Sequence, residues 1–98
     1  ARLARMAAEA GVKFTVGCMV GESGILSAAQ RRLLQLINPP KFVEGNYGRF
    51  LLGGDITARS PRFGYGGRLN TFDAPGLGIE IKTSNLDRYA RFIRSLQV

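Results

Sequence analysis

Apolar residues recur at helical spacing near the start and end of this chain and in near-continuous or alternating runs elsewhere. In 1–10, Leu3, Met6, Ala7 and Ala10 share one face of a helix. Gly11 stands where left-handed backbone would end it. Lys13–Val20 reads Lys-Phe-Thr-Val-Gly-Cys-Met-Val, β-branched and aromatic first and then almost wholly apolar. A strand covered on both faces has this composition, which points to a parallel sheet under helices. From about Ser23 to Ile37 the spacing predicts a helix that buries Leu26, Ala29, Leu33, Leu36 and Ile37. Gln30, Arg31, Arg32 and Gln35 fall outside that stripe. Asn38-Pro39-Pro40 stops it, because proline cannot continue the hydrogen-bond ladder. Lys41–Glu44 is a short strand candidate that breaks at Gly45. Helix, strand, helix, strand in this order predicts α/β packing.

The chain then changes character. From Gly45 to Gly78 it is rich in glycine, with Pro61 and Pro75 and few periodic runs. Phe50-Leu51-Leu52 and Arg68-Leu69 are its apolar anchors. A stretch this long without regular structure reads as an excursion across another part of a protein. Gly78–Lys82 alternates as a half-exposed strand. Ser84-Asn85-Leu86-Asp87 resembles a capping box, opening a helix to about Leu96 that buries Leu86, Tyr89, Ala90, Ile93 and Leu96.

Ninety-eight residues amount to about one small domain. The chain starts at Ala1, inside a helical pattern and without an initiator methionine, so it is expected to be a piece of something longer. No apolar run approaches the roughly 18 residues of a membrane helix, and no basic-then-apolar leader precedes the first helix. The single Cys18 excludes an internal disulfide and fits a reducing, cytoplasmic compartment. One cysteine and no histidine remove a cysteine-based zinc site and the commonest general base.

The net charge of +7 raises a second reading, a small basic domain that binds RNA or another polyanion. Eleven of the fourteen cations are arginines, but they are scattered over helix faces and the loop-rich middle. Scatter of this kind favours solvated faces over a nucleic-acid groove. Salt-dependent retention on nucleic acid separates the two, since phosphate contacts weaken steeply with salt. Arg62-Phe63-Gly64-Tyr65-Gly66-Gly67-Arg68 is a lone arginine–glycine–aromatic tract and reads as a surface turn anchored by Phe63 and Tyr65.

Candidate chemistry gathers where strands give way to helices. Glu22 stands among Gly21, Ser23 and Gly24 at the exit of the first strand, the place where barrel enzymes carry their reactive groups. An acidic residue there also suits a helix N-terminus for dipole reasons alone. Glu44 closes the second strand, and neighbouring parallel strands lie roughly 4.8 Å apart, so both carboxylates can face one pocket. Two unrelated surface carboxylates would give the same pattern. Cys18 reads as a small buried hydrophobe.

Three stretches together resemble the C-terminal end of the enolase superfamily, in its muconate-lactonizing-enzyme and dipeptide-epimerase branch. They are Gly17–Ile25 with Ala28-Ala29, then Phe42–Tyr47 with Leu51-Leu52 and Asp55, and then Pro75-Gly76-Leu77-Gly78-Ile79-Glu80. The resemblance implies the last βα units of a (β/α) barrel in residues 1–52. Residues 53–98 would be a return segment to a capping domain, with a terminal strand and helix, leaving the barrel incomplete within this chain. It implies Mg²⁺-assisted proton abstraction next to the carboxylate of a small substrate, in a homo-oligomeric isomerase or lyase. Glu22 matches the family's strand-end glutamate, which polarises substrate or intermediate. Cys18, Met19, Val20 and Ser23 would line the same pocket. Glu44 and Asn46 fall where epimerase-like members carry an Asp-x-Asp pair for a substrate ammonium; that pair is absent here, and an extra Gly21 precedes Glu22. The Lys-x-Lys segment, the opposing lysine and the metal carboxylates have no counterpart in this chain. The fragment alone is therefore expected to hold no metal ligands and to be inactive, needing the rest of the parent barrel and the capping domain as partners.

Overall fold

The computed structural model describes residues 1–61, 64–68 and 73–90. Its elements run α1 (Arg2–Glu9), β1 (Thr15–Val16), α2 (Gly24–Leu36), β2 (Phe42–Val43), α3 (Gly48–Leu51), a 3₁₀ turn (Tyr65–Gly67) and α4 (Thr83–Tyr89). The mixed α/β order is as expected. β1 and β2 pair in parallel, Thr15 opposite Phe42 and Val16 opposite Val43. The Lys41 N–H donates to the Phe14 carbonyl and the Glu44 N–H to that of Val16, both at 2.9 Å. α1 ends as its spacing predicts, with Gly11 at φ +66° and its N–H returned to Ala8.

The ladder is shorter than the apolar run. Only two residues of Lys13–Val20 pair, and Met19 and Val20 are exposed rather than covered. Burial on both faces requires neighbouring strands and a second helical layer, and among the described residues β1 has β2 alone. What holds the strand ends together is α2. The Gln30 side-chain amide donates to the Gly17 and Glu44 carbonyls, both at 2.8 Å, and so ties the exit of β1 to that of β2.

α2 is turned relative to its expected stripe. The buried residues are Gly24, Ser27, Ala28 and Arg31, at i, i+3, i+4 and i+7. Arg31, expected outside, is buried, whereas Leu26 and Leu36 stand open to solvent, Leu36 at 75%. The Gly24 end of this face packs inward because the Asp55–Thr57 segment lies close against it: a Cβ on Gly24 would overlap the Thr57 side chain. Of the expected apolar stripe, Ala29, Leu33 and Ile37 are half-buried.

The 45–78 stretch is less irregular than its composition indicates. It holds α3 and the 3₁₀ turn, although Phe50 and Leu51 are exposed and anchor nothing here. Tyr65 is 100% exposed and is no anchor either, while Phe63 and Leu69 lie outside the described residues. The Pro75–Gly78 turn forms, closed by the Gly78 N–H on the Pro75 carbonyl at 3.1 Å. Arg32 pins it to α2, its guanidinium donating to the Gly76 and Ala74 carbonyls. The strand expected at Gly78–Lys82 reduces to an antiparallel bridge between Thr57 and Ile81. α4 starts at Thr83, one residue before the expected capping box, with Lys82 as its N-cap and no side-chain capping bond. α4 ends at Tyr89, with Ala90 extended, and Leu86 and Tyr89, expected to be buried, are exposed; Ile93 and Leu96 lie outside the described residues.

Candidate functional site

The turn from β1 into α2 is built around Glu22. Gly21 takes φ +78°, which L side chains rarely adopt. The chain then doubles back, and the Glu22 N–H returns to the Met19 carbonyl at 3.2 Å. Glu22 is only 7% exposed. Its Oε2 accepts the Met19 N–H at 3.1 Å and its Oε1 accepts the Ser27 hydroxyl at 2.8 Å. Each carboxylate oxygen accepts more than one hydrogen bond, so this anchoring leaves lone pairs for a further donor.

Asn46 joins the same cluster from beyond β2. It is 3% exposed and takes φ +55°, left-handed backbone that asparagine tolerates better than most residues. Its Nδ2 donates to the Pro61 carbonyl at 2.5 Å, and its Oδ1 lies 3.0 Å from the Ser27 hydroxyl. A carbonyl only accepts, so Pro61 orients the amide and leaves Oδ1 toward Ser27. One hydroxyl proton then serves two acceptors, Glu22 and Asn46. Ser27, 2% exposed, is the hub of this network. Replacing it by alanine leaves two buried acceptors short of a donor, and a loss of about 1–3 kcal/mol is expected in a urea melt.

The remaining sequence candidates are placed differently. Glu44 is exposed, its carboxylate lying over Gly17, and no hydrogen bond joins it to Glu22. Met19 and Val20 are exposed, and Cys18 and Ser23 are half-buried. Glu22 and Asn46 are thus brought together through Ser27, while Glu44 stays apart. Two contributors were not singled out by sequence reasoning. Ser27 had a visible signal, since Gly24, Ser27 and Ala28 form a stripe of small residues, the mark of close approach. Asp55 belonged to the second stretch of the family resemblance, but nothing near it in sequence marked it as a cap for α2.

Asp55 supplies the N-terminal cap that α2 lacks locally. Ser23 is the N-cap residue but makes no capping bond, and the first turn holds no acid. Both Asp55 oxygens accept the Gly24 N–H, at 3.0 and 2.9 Å, from 31 positions away. The Thr57 N–H at 3.1 Å and the Ser60 hydroxyl complete its shell. Burial raises the Asp55 pKa, but the hydrogen bonds from Ser60, Gly24 and Thr57 together outweigh it and hold the carboxyl below its ordinary value.

The family profile for the enolase C-terminal domain-like family matches residues 1–85. The chain belongs to the enolase C-terminal domain-like family. That match covers the β1–α2 turn, the Glu22–Ser27–Asn46 network and the Asp55 cap, and puts the chain in a superfamily of enzymes. No curated protein and no solved structure matches it. No helix among the described residues is long and apolar enough to cross a membrane.

Members of the enolase superfamily typically use Mg²⁺. Among the described residues no three of His, Cys, Asp or Glu converge as metal ligands. Glu22 and Asp55 are each held by N–H and O–H donors of this chain, and among the described residues neither is joined by two further His, Cys, Asp or Glu ligands. A Mg²⁺ ion prefers six nearly octahedral oxygen ligands, and the residues present do not fit it.

Proposed function

We propose that this chain is the C-terminal part of an enolase-superfamily isomerase or lyase that abstracts a proton next to the carboxylate of a small substrate. The observation that carries this reading is the buried Glu22 carboxylate at the exit of β1, beside the exit of β2, in a chain of this family. Its anchoring by Met19 and Ser27 suits a group that must hold one position and keep lone pairs for an O–H or N–H donor of the substrate. Cys18, Met19, Val20, Ser23, Glu44 and Asn46 complete the proposed substrate wall. Asn46 serves it through Ser27, and Glu44 stands as the outer acidic residue.

The muconate-lactonizing and dipeptide-epimerase branch is the reading closest to the three sequence stretches. The Glu44-Gly45-Asn46 segment in place of Asp-x-Asp argues against an ammonium-bearing dipeptide substrate. Mg²⁺, held by carboxylates on strands outside this chain, would stabilise the enolate. The parent barrel and capping domain are the proposed partners, in a cytoplasmic homo-oligomer.

Exchange of the C–H next to the carboxylate tests this reading. The parent protein, carrying the preceding strands, is incubated with Mg²⁺ and a panel of small carboxylic acids in D₂O and followed by proton NMR. Deuterium uptake is expected, falling at least about a hundredfold in Glu22→Gln. No uptake from any acid, or a Glu22→Gln variant as active as the parent, would sink the reading. The 98-residue chain alone is expected to show neither exchange nor a micromolar Mg²⁺ site by calorimetry.

A further inference from the structure

A cavity of about 680 Å³ opens between α3 and the segment that follows it. Its size falls in the range of small-molecule sites. None of the residues proposed around Glu22 lines it. Arg49, Asp55, Thr57, Arg59 and Ser60 supply its polar wall. Two arginines and one aspartate therefore line it, and the aspartate's carboxylate is already committed. Asp55 stays ionised, but its oxygens are taken up by the Gly24 and Thr57 N–H groups and the Ser60 hydroxyl, and the two arginines outnumber it. Among the described residues neither Arg49 nor Arg59 takes part in an ion pair or hydrogen bond. Both are exposed.

The wall behind them is held in place. The Thr57–Ile81 bridge fixes the middle of the segment, with the Ala58 N–H on the Glu80 carbonyl at 2.9 Å and the Lys82 N–H on that of Ile56 at 2.8 Å. The Asn85 side chain donates to the Asp55 carbonyl at 2.6 Å. Two arginines on a braced wall suit oxygen anions, which guanidinium groups bind through paired N–H donors. We propose that this cavity binds a small organic oxyanion, a phosphate ester or a carboxylate, through Arg49 and Arg59. The proposal is independent of the chemistry assigned to Glu22.

The test is a ¹H–¹⁵N NMR titration of the 98-residue chain with inorganic phosphate and, separately, with acetate. Saturable shifts are expected at the Arg49 and Arg59 Nε–H groups and at the Gly54 and Thr57 amides, with a Kd of about 1 mM or below for the better probe. Arg49→Gln and Arg59→Gln should each weaken binding about tenfold. Arg2→Gln with Arg5→Gln removes more charge from α1, which contributes nothing to the cavity wall, and should leave binding within about twofold. Preference for phosphate marks a phosphate ester as the ligand, and preference for acetate a carboxylate; either supports the site. Shifts spread evenly over all arginines, equal weakening by the α1 pair, or no saturable shift with either probe overturns it. The wild-type shift map decides even where a variant does not fold.

Discussion

Replacing Gly48 by alanine is expected to cost about 3 kcal/mol or more, measured by urea denaturation followed by circular dichroism. Gly48 opens α3 and is buried against the turn that carries Glu22. A Cβ built there would overlap the Glu22 carbonyl oxygen and touch the Leu52 side chain. The leucine can rotate away. The carbonyl cannot, because Glu22 is tied on both sides, by its N–H to Met19 and by its carboxylate to Met19 and Ser27. Any relief therefore shifts the whole β1–α2 turn, and with it the candidate carboxylate. Against a typical total stability of about 5–15 kcal/mol, a loss of that size leaves a small domain near its unfolding threshold. Gly53→Ala is the matched control, since a Cβ there meets nothing within 4 Å. It should be neutral or slightly stabilising, through reduced freedom of the unfolded chain. Equal effects from the two substitutions would show that the Gly48–Glu22 approach has no structural role.

Asp55→Ala is expected to cost about 3 kcal/mol, since it removes the α2 cap and leaves the Gly24 N–H, the Thr57 N–H and the Ser60 hydroxyl without their acceptor. Asp55→Asn keeps an acceptor but loses the charge, and should cost about 1 kcal/mol. The pH dependence follows from the depressed folded pKa. Above the unfolded carboxylate value of about 3.9 the group is charged in both states and its full contribution is present. As pH falls below that value the unfolded chain takes up a proton first, so stability declines until pH has passed through the lower folded pKa. Thermal melts of the native chain should show this acid limb, and Asp55→Asn should flatten it. An unchanged limb in the variant would assign the acid sensitivity to other carboxylates.

Local order was legible wherever it rests on neighbours in sequence. The α1 stop at Gly11, the α2 stop before Pro39-Pro40 and the Pro75–Gly78 turn each depend on the backbone freedom of a glycine or the missing N–H of a proline, and these travel with the residue. The parallel pairing of β1 with β2 was legible for a related reason, because a helix between two apolar runs returns the second beside the first. The position of Glu22 at the strand exit follows from the same order. The three motif stretches also pointed to the enolase superfamily, and the match over residues 1–85 agrees at that level.

Contacts across long sequence separations were not legible. Periodicity located α2 but could not choose its inward face. Leucines and isoleucine define the apolar stripe, yet Gly24, Ser27, Ala28 and Arg31 are buried, because the turn and the Asp55 segment approach α2 more closely than leucine permits. Ser27 becomes the link between Glu22 and Asn46 only once β2's exit lies beside that face. Asp55 caps a helix that begins 31 residues earlier. Composition and spacing determined which segments coil, extend or turn, since those preferences reside in single residues and their near neighbours. The tertiary structure alone decided which polar atoms meet, since a hydrogen bond needs its partners within about 3 Å and only the folded path of the whole chain brings them there.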